Sequence, residues 1–276
     1  MKTYKDNKKW LWLLSVLYPT VGIPGLWMHY LTENTLWLLY PFVITYIFTP
    51  FLDTYFGEDN SNHPDEVQSD LEKIPYYKIL TYIAVPIHIF VFFISAFYIG
   101  LIPLSLLEIL LISASAGLVS GIAINTGHEL GHKKTKIERS LAKIVLSIPA
   151  YGHFTIEHNR GHHSNVSTPE DAASAKMGEN IYEFALREMP ESFKNAISIE
   201  KKRLHRLGKS FWCFDNELMQ SFSLTLIFQV GLLISFGLVM VPFLLVHNLF
   251  AWWQLTSANY IEHYGLLRKK LSNGRY

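Results

Sequence analysis

The chain has 276 residues, of which 50% are hydrophobic and 17% are Asp, Glu, Lys or Arg, and its net charge at pH 7 is +1. Soluble domains are about one quarter charged, so this composition excludes an ordinary soluble globule and favours a membrane protein. The small net charge also excludes a nucleic-acid-binding protein that relies on overall positive charge.

Apolar segments occur in pairs along the chain. Three stretches, 10–72, 79–132 and 210–267, contain no Lys or Arg. Each can hold two apolar segments of about 20 residues, the length that crosses a hydrocarbon core of roughly 30 Å. The sequence therefore predicts an all-α integral membrane protein with six transmembrane helices in three hairpins, at 10–30, 35–52, 78–98, 101–124, 219–238 and 239–258.

The distribution of positive charge predicts the orientation of these helices. The turns at 31–34 and 98–103 contain no Lys or Arg, whereas both termini and the segment 128–215 contain many. By the positive-inside rule, both termini and 128–215 are expected to be cytoplasmic, the latter as a helical cap. A cleaved signal peptide is an alternative for the first span, but no small-residue cleavage site follows it.

Polar residues between and within the spans lead to two further predictions, a surface loop and a buried carboxylate. The acidic segment 53–72 contains Asn and Pro but no long apolar period, so it is interpreted as a surface loop. Glu108 lies inside the fourth predicted span. A carboxylate is unfavourable in lipid, so Glu108 is expected to face the interior of the bundle.

Five histidines form two clusters in the predicted cap. The motif HELGH follows the fourth span, and EHNRGHH lies about 25 residues further on. On an α-helix, residues four apart share a face, so His128 is expected beside His132, and His158 beside His162. His163 lies about 100° further round the helix, so His162 and His163 could bind two different metals.

Other histidines differ in their surroundings. His263 lies in NYIEHYG just past the sixth predicted span, so three distant segments are expected to meet in one layer. His153, five residues before His158, is a further candidate for a ligand or for a group that supports one. The remaining histidines are isolated and are expected to be solvated, interfacial or bonded in the core: His29, His63, His88, His205 and His247.

Two kinds of metal chemistry fit the clusters. The single cysteine, Cys213, excludes iron–sulfur clusters and thiolate zinc sites. HELGH also matches H-E-x-x-H, in which Glu129 would be the general base of an intramembrane zinc metalloprotease. One catalytic zinc needs three protein ligands, whereas the clusters offer at least five histidines. This surplus favours two metals, and a histidine-dominated pair of irons fits better than a carboxylate-rich di-iron site.

Three longer motifs resemble a known family. HELGHK at 128–133, EHNRGHHSNVSTPEDAASA at 157–175 and NYIEHYGLLR at 259–268 closely resemble the signature segments of the membrane-bound alkane 1-monooxygenases. GED at 57–59 also resembles that family's loop between the second and third spans. The first two motifs are similar in outline to the wider fatty-acid desaturase and hydroxylase superfamily, and xylene-type monooxygenases are the nearest alternative family.

The resemblance implies one membrane-bound oxygenase domain over 1–276 that holds two iron ions. Six ligands match the family's motifs: His128, His132, His158, His162, His163 and His263. Glu129, Glu157 and Glu262 each adjoin a ligand and are candidates to orient an imidazole through its other N–H. The family's third box, H-x-x-H-H, has no match before Tyr276, so we expect a fragment whose C-terminal part is missing.

The same resemblance implies a reaction and its partners. The terminal methyl of a medium- or long-chain alkane would be hydroxylated to a 1-alkanol with O₂, in an apolar site open to membrane lipid. No G-x-G-x-x-G motif follows a strand, so the electrons are expected from an external donor. The resemblance implies that this donor is rubredoxin, reduced by an NADH-dependent rubredoxin reductase. The expected location is the inner (plasma) membrane, with the metal site cytoplasmic. The expected rubredoxin-docking face comprises Lys133, Lys134, Arg160, Lys201, Lys202 and Arg203.

Overall fold

A computed structural model describes residues 6–59, 66, 67, 71, 73–272, 274 and 276, and these residues form helices and turns without a strand. The all-α fold class is therefore confirmed for the described part of the chain. The α-helices are α1 (Leu13–Leu17), α2 (Gly22–Thr32), α3 (Tyr40–Val43), α4 (Thr49–Phe56), α5 (Pro75–Leu101), α6 (Leu106–His132), α7 (Lys136–Ser147), α8 (Phe154–Glu157), α9 (His163–Asn165), α10 (Ile181–Arg206), α11 (Glu217–Phe236) and α12 (Met240–His263). The 3₁₀-helices are Tyr18–Val21, Thr35–Leu39 and Gly237–Val239, and the π-helices are Ile44–Phe48 and His158–His162.

Within the described residues, four segments are long and apolar enough to cross a membrane: Thr35–Phe56, Pro75–Leu101, Leu106–His132 and Glu217–His263. The last contains α11 and α12, which are separated at Gly237, where φ is +74°. Gln229 Nε2 donates to Asn248 Oδ1 at 3.1 Å, so the two helices lie side by side. The predicted fifth and sixth spans are thus separate helices in contact.

The predicted first span, 10–30, is not one continuous helix. α1 ends at Leu17, a 3₁₀-helix containing Pro19 follows, and α2 begins at Gly22. Proline has no backbone N–H to donate, so it disfavours an uninterrupted α-helix at this point. The segment is not among the four candidate spans, and six spans remain a prediction. The predicted loop 53–72 lies partly outside the described residues, as does His63, and its first four residues continue α4.

α6 is the central helix of the bundle, and it packs very closely against α12. A Cβ atom at Gly117 would lie 2.6 Å from the carbonyl oxygen of His247, and one at Gly121 would lie 2.6 Å from Cβ of Gln254. Small residues let helix backbones approach, which is a common mode of packing in membranes. The two helices that carry the first and third histidine segments are therefore held together directly.

Glu108 faces neighbouring helices of the bundle, as expected, although it lies at one end of the bundle rather than in its middle. It lies in the first turn of α6, where its Oε2 accepts from the backbone N–H of Ser105 in a capping box. Its Oε1 accepts from Thr35 Oγ1 at 2.9 Å and lies 3.1 Å from His29 Nε2. The helix terminus leaves backbone N–H groups without intrahelical partners, which explains a carboxylate at this end. Glu108 also connects the first hairpin to the second.

A helical cap lies at the opposite end of α6. The amphipathic helix α7 packs on α6, and Leu146 fills the space beside Gly127. Ile156, Ala196 and Leu218 form a small buried cluster that joins α8, α10 and α11. Apolar burial of this kind fixes the relative positions of the helices. The cap thereby brings the segment that contains the second histidine cluster beneath the end of α6.

Candidate metal centre

The last turn of α6 carries the first pair of histidines. His128 and His132 are one helical turn apart, and their Nε2 atoms lie 2.8 Å from each other. This confirms the expected i,i+4 arrangement. Their rings also lie near the second cluster, since the centroid of His128 is 4.4 Å from that of His158.

The helix that carries the second cluster is of a different type from the α-helix that was expected. Residues His158–His162 form a π-helix, in which hydrogen bonds join residues five apart rather than four. His158 Nε2 therefore lies 3.0 Å from Nε2 of His163. The ring of His158 also stacks on that of His162, as expected, with the centroids 5.2 Å apart. Single π-helical turns occur often at functional sites. The extra residue in this turn redirects one imidazole of the cluster.

Four imidazoles converge on one point. One ring nitrogen from each of His128, His132, His158 and His163 can be chosen so that all lie within 4.8 Å of one another. Burial lowers the pKa of His158 well below its ordinary value, and the neighbouring imidazoles lower it further. Neutral imidazoles offer lone pairs, which suit iron, zinc, copper and nickel. This donor set fits a metal ion in its geometry and in its ligand type.

His162 takes part in a different contact. Its Nδ1 lies 3.0 Å from Oδ2 of the buried Asp171, so its Nε2 is the nitrogen left for a metal. Burial alone would lower the pKa of His162, but the hydrogen bond and charge of Asp171 outweigh it and raise the pKa. Carboxylates that accept from the second N–H of a histidine fix its tautomer and orientation. Asp171 performs this role for His162.

His263 lies beside His162 rather than among the four converging histidines. The two ring centroids are 4.8 Å apart. After α12 the chain docks on the loop that follows the second cluster, where the backbone N–H of Gly265 donates to the oxygen of Ala175 at 2.9 Å. The backbone N–H of Arg268 donates to Ser167 at 2.7 Å. These contacts bring the third histidine segment to the site.

Arg187 on α10 holds the loop that contains Asp171. Its guanidinium donates to the backbone oxygens of Ala172 and Ser174, each at 3.1 Å. It also donates to both carboxylate oxygens of Glu179, at 2.8 and 2.9 Å. A planar guanidinium can satisfy several acceptors at once, so one side chain joins the segment after Asp171 to Glu179.

The three glutamates expected to orient histidines lie in different surroundings. Glu129 is exposed, and Glu262 Oε2 lies 3.9 Å from Nε2 of its neighbour His263. Glu157 is buried, and its burial together with the nearby Asp171 raises its pKa to about 7. No hydrogen bond joins any of the three to a histidine within the described residues. Sequence reasoning missed Asp171, whose only signal was its place in STPEDAASA.

The expected basic face is only partly available. Arg160 donates to Glu217 at 2.9 Å, and Arg203 donates to both oxygens of the buried Glu200. These two arginines therefore stabilise the junction of α10 and α11. Four lysines of the expected face are exposed: Lys133, Lys134, Lys201 and Lys202.

The isolated histidines lie away from the four-histidine group. His29 Nδ1 bonds to Tyr98, and His247 Nε2 lies 2.7 Å from Ser120 Oγ in the buried interior. His88 is buried, and His205 is exposed. These placements agree with the expectation that the isolated histidines are bonded in the core or solvated. His153 is buried near the second cluster.

A family model described as fatty acid desaturase matches residues 103–276. Together with the helical bundle and its histidines, this match defines a membrane-bound member of the fatty acid desaturase class. Alkane 1-monooxygenase 1 of Alcanivorax borkumensis is 50% identical over 273 residues, which cover 99% of this chain and 68% of that protein. Alkane 1-monooxygenase of Ectopseudomonas oleovorans is also 50% identical, with the same coverage. The chain belongs to the alkane 1-monooxygenase family and is an oxidoreductase.

The two alternative functions were a xylene-type monooxygenase and an intramembrane zinc metalloprotease. A xylene/toluene monooxygenase hydroxylase component of Pseudomonas putida is 30% identical over 157 residues, which cover 54% of this chain and 41% of that protein. This likeness is more distant and covers less of the chain. The zinc metalloprotease alternative is wrong, because the chain belongs to an oxidoreductase family and shares half its residues with monooxygenases.

Proposed function

We propose that this protein hydroxylates the terminal methyl group of medium- or long-chain alkanes to 1-alkanols, with O₂ as the second substrate. The observation that carries the proposal is the convergence of four imidazoles within 4.8 Å in a chain 50% identical to alkane 1-monooxygenases. The reaction consumes one O₂, two electrons and two protons, and it yields the alcohol and one water. One membrane-bound domain over 1–276 would contain the site.

Six histidines would hold two iron ions: His128, His132, His158, His162, His163 and His263. Two irons, when bound, would supply the activation of O₂. The protein orients the ligands, because α6 fixes the first pair and the π-helix directs His158 and His163 towards it. His162 and His263, which lie together outside the four-histidine group, would complete the second iron site.

The membrane position of the site suits an apolar substrate. An alkane has no polar handle, so it must be positioned by apolar surface that excludes water. Alkanes dissolve in the bilayer, and the candidate span α6 ends at the first pair of histidines. A substrate could therefore reach the site from the lipid phase. By the positive-inside rule, the site and both termini would face the cytoplasm of an inner (plasma) membrane.

Metal content and product formation test this function together. The full chain, purified in detergent, would be analysed for metals and supplied with an alkane, O₂, rubredoxin and rubredoxin reductase. We expect bound iron and 1-alkanol formation, both lost in His158→Ala. His205→Ala is the matched control, since His205 is exposed and is not part of the four-histidine group. Bound zinc without iron in the parent protein would overturn the proposal.

The electron donor would dock on the exposed lysines of the cap. Lys201 and Lys202 adjoin the buried Glu200, which is connected through Arg160 to the π-helix of the second cluster. Rubredoxins are acidic, so reversing both charges is expected to raise the KM for rubredoxin several-fold at low salt, and high salt should reduce this difference. Lys194→Glu is a control on the same helix. An unchanged KM in the double variant would exclude this patch.

A further inference from the structure

A small chamber lies behind the second histidine cluster. Its volume is about 10 Å³, and His153, His158 and Glu188 are part of its wall. A space of about 10–15 Å³ is what one water molecule requires, and a buried water also needs two to four polar partners. The chamber therefore has the size for a single water, and its wall determines whether the polar partners are present.

His153 is the first such partner. Its side chain is 5% exposed, and neither Nδ1 nor Nε2 has a hydrogen-bond partner in the structure. The ring is packed between Tyr151 and Phe193, at centroid distances of 4.3 and 5.3 Å. A buried polar group without a partner costs about 1–3 kcal/mol. An imidazole that lines a chamber of this size is expected to bond to a molecule inside it.

Glu188 is the second polar group that lines the chamber. It is 1% exposed and accepts from Thr256 Oγ1 at 2.8 Å, from Ser192 Oγ at 3.1 Å and from Asn259 Nδ2 at 3.4 Å. These contacts join α10 to α12 and fix the carboxyl group at the chamber. A carboxylate has about four lone-pair sites, so one remains for a further donor.

His158 connects the chamber to the metal centre. Its Nε2 faces His163, which makes Nε2 the nitrogen for a metal. Its Nδ1 is therefore the nitrogen left for another partner, just as Nδ1 of His162 is the nitrogen that Asp171 holds. Histidines that bind metals almost always donate their other N–H to a carboxylate, a carbonyl or a water. His158 lines the chamber, so a water there would meet this requirement.

We propose that the chamber binds one water molecule, which accepts from His158 Nδ1–H and bonds to His153 and Glu188. His153 and Glu188 are thus positioning residues that orient a metal ligand through this water. The inference rests on the proposed metal centre, but it concerns a site that the six ligands do not include.

Two substitutions remove the water in different ways. Ala173 also lines the chamber, so Ala173→Val would fill it, whereas His153→Phe would remove the polar partner and keep the ring shape. His205→Phe is the matched control for His153→Phe, since His205 is exposed and does not line the chamber. His153→Gln keeps a hydrogen-bonding group and should restore binding.

The readout is Co²⁺ binding by the full chain in detergent, measured by competition with a chelator and by the visible absorption of the bound ion. We expect Ala173→Val and His153→Phe to bind Co²⁺ about 10–100-fold more weakly with an altered spectrum, and His205→Phe to match the parent. Parental affinity and spectrum in both chamber variants would overturn the inference alone. Failure of the parent to bind Co²⁺ would overturn the proposed metal centre as well.

A structure of the unsubstituted protein at a resolution that shows waters gives an independent test. Density within hydrogen-bond distance of both His153 and Nδ1 of His158 would support the inference, and an empty chamber would refute it. This measurement does not depend on whether the variants fold.

Discussion

Asp171→Asn is expected to weaken the metal site without removing a ligand. Asp171 accepts from His162 Nδ1 at 3.0 Å, from Ser174 Oγ at 2.5 Å and from the backbone N–H of Ala173 at 3.2 Å. These bonds outweigh burial and lower the pKa of Asp171, so it is ionised at neutral pH. Asparagine has one acceptor oxygen, so its NH₂ group must face one of these donors.

The expected loss of metal affinity and of stability follows from the hydrogen bond between Asp171 and His162. Loss of a partner that orients a metal-binding histidine reduces metal affinity about 10–100-fold, which is roughly 1.4–2.7 kcal/mol. Breaking a hydrogen bond to a charged buried group also costs about 1.5–3 kcal/mol of stability. Both effects are expected in Asp171→Asn, since the same carboxylate orients His162 and holds the turn at Ser174.

The assay compares Asp171→Asn with Glu170→Gln, the equivalent change at the neighbouring exposed carboxylate. Fe²⁺ affinity would be measured anaerobically by chelator competition, and thermal unfolding would be followed in detergent. We expect weaker binding and a lower melting temperature in Asp171→Asn only. If Asp171→Asn binds Fe²⁺ as tightly as the parent while the parent does bind it, the assigned role of Asp171 is refuted.

Two further predictions concern the bundle and the cap. Gly117→Ala is expected to destabilise the protein by about 1–3 kcal/mol, because the new Cβ would lie 2.6 Å from the carbonyl oxygen of His247. Gly231→Ala is the control, since a Cβ there would lie in open space and the change should be neutral or slightly stabilising. Equal melting temperatures of the two variants would contradict the close packing of α6 on α12. Bonds from Arg203 and neighbouring groups outweigh burial and lower the pKa of Glu200 below 4.5, so its stabilising contribution is present above that pH and is lost as the pH falls. Glu200→Gln should therefore lower the free energy of unfolding by about 3 kcal/mol or more at pH 7. Between pH 7 and pH 4, the melting temperature of this variant should fall less than that of the parent protein. Parallel melting curves against pH would refute this assignment.

The sequence predicted the class of fold and the first pair of histidines because both depend on local patterns. Long apolar runs without Lys or Arg indicate membrane helices wherever they occur. The i,i+4 spacing of His128 and His132 needs only an ordinary α-helix, and α6 continues to His132. The chemical character of the site followed from residue types alone, since clustered imidazoles suit transition metals.

The residues that contact the histidines of the second cluster could not be predicted from the helical period of the local sequence. The expectation for His158 assumed an α-helix, but the π-helix pairs it with His163 and leaves His162 for Asp171. Arg187, on a different helix, holds the segment that follows Asp171. Those arrangements arise from packing of the cap against the bundle.

The sequence by itself determined that this is a helical membrane protein with a histidine-rich site, since hydropathy and i,i+4 spacing act over one helix. Only the tertiary structure decided which imidazoles converge, which carboxylate orients His162, and that Glu108 caps α6 beside His29. It also decided that Arg160 is bound to Glu217. The physical reason is that buried polar groups must be paired in three dimensions, with partners that are distant in the sequence.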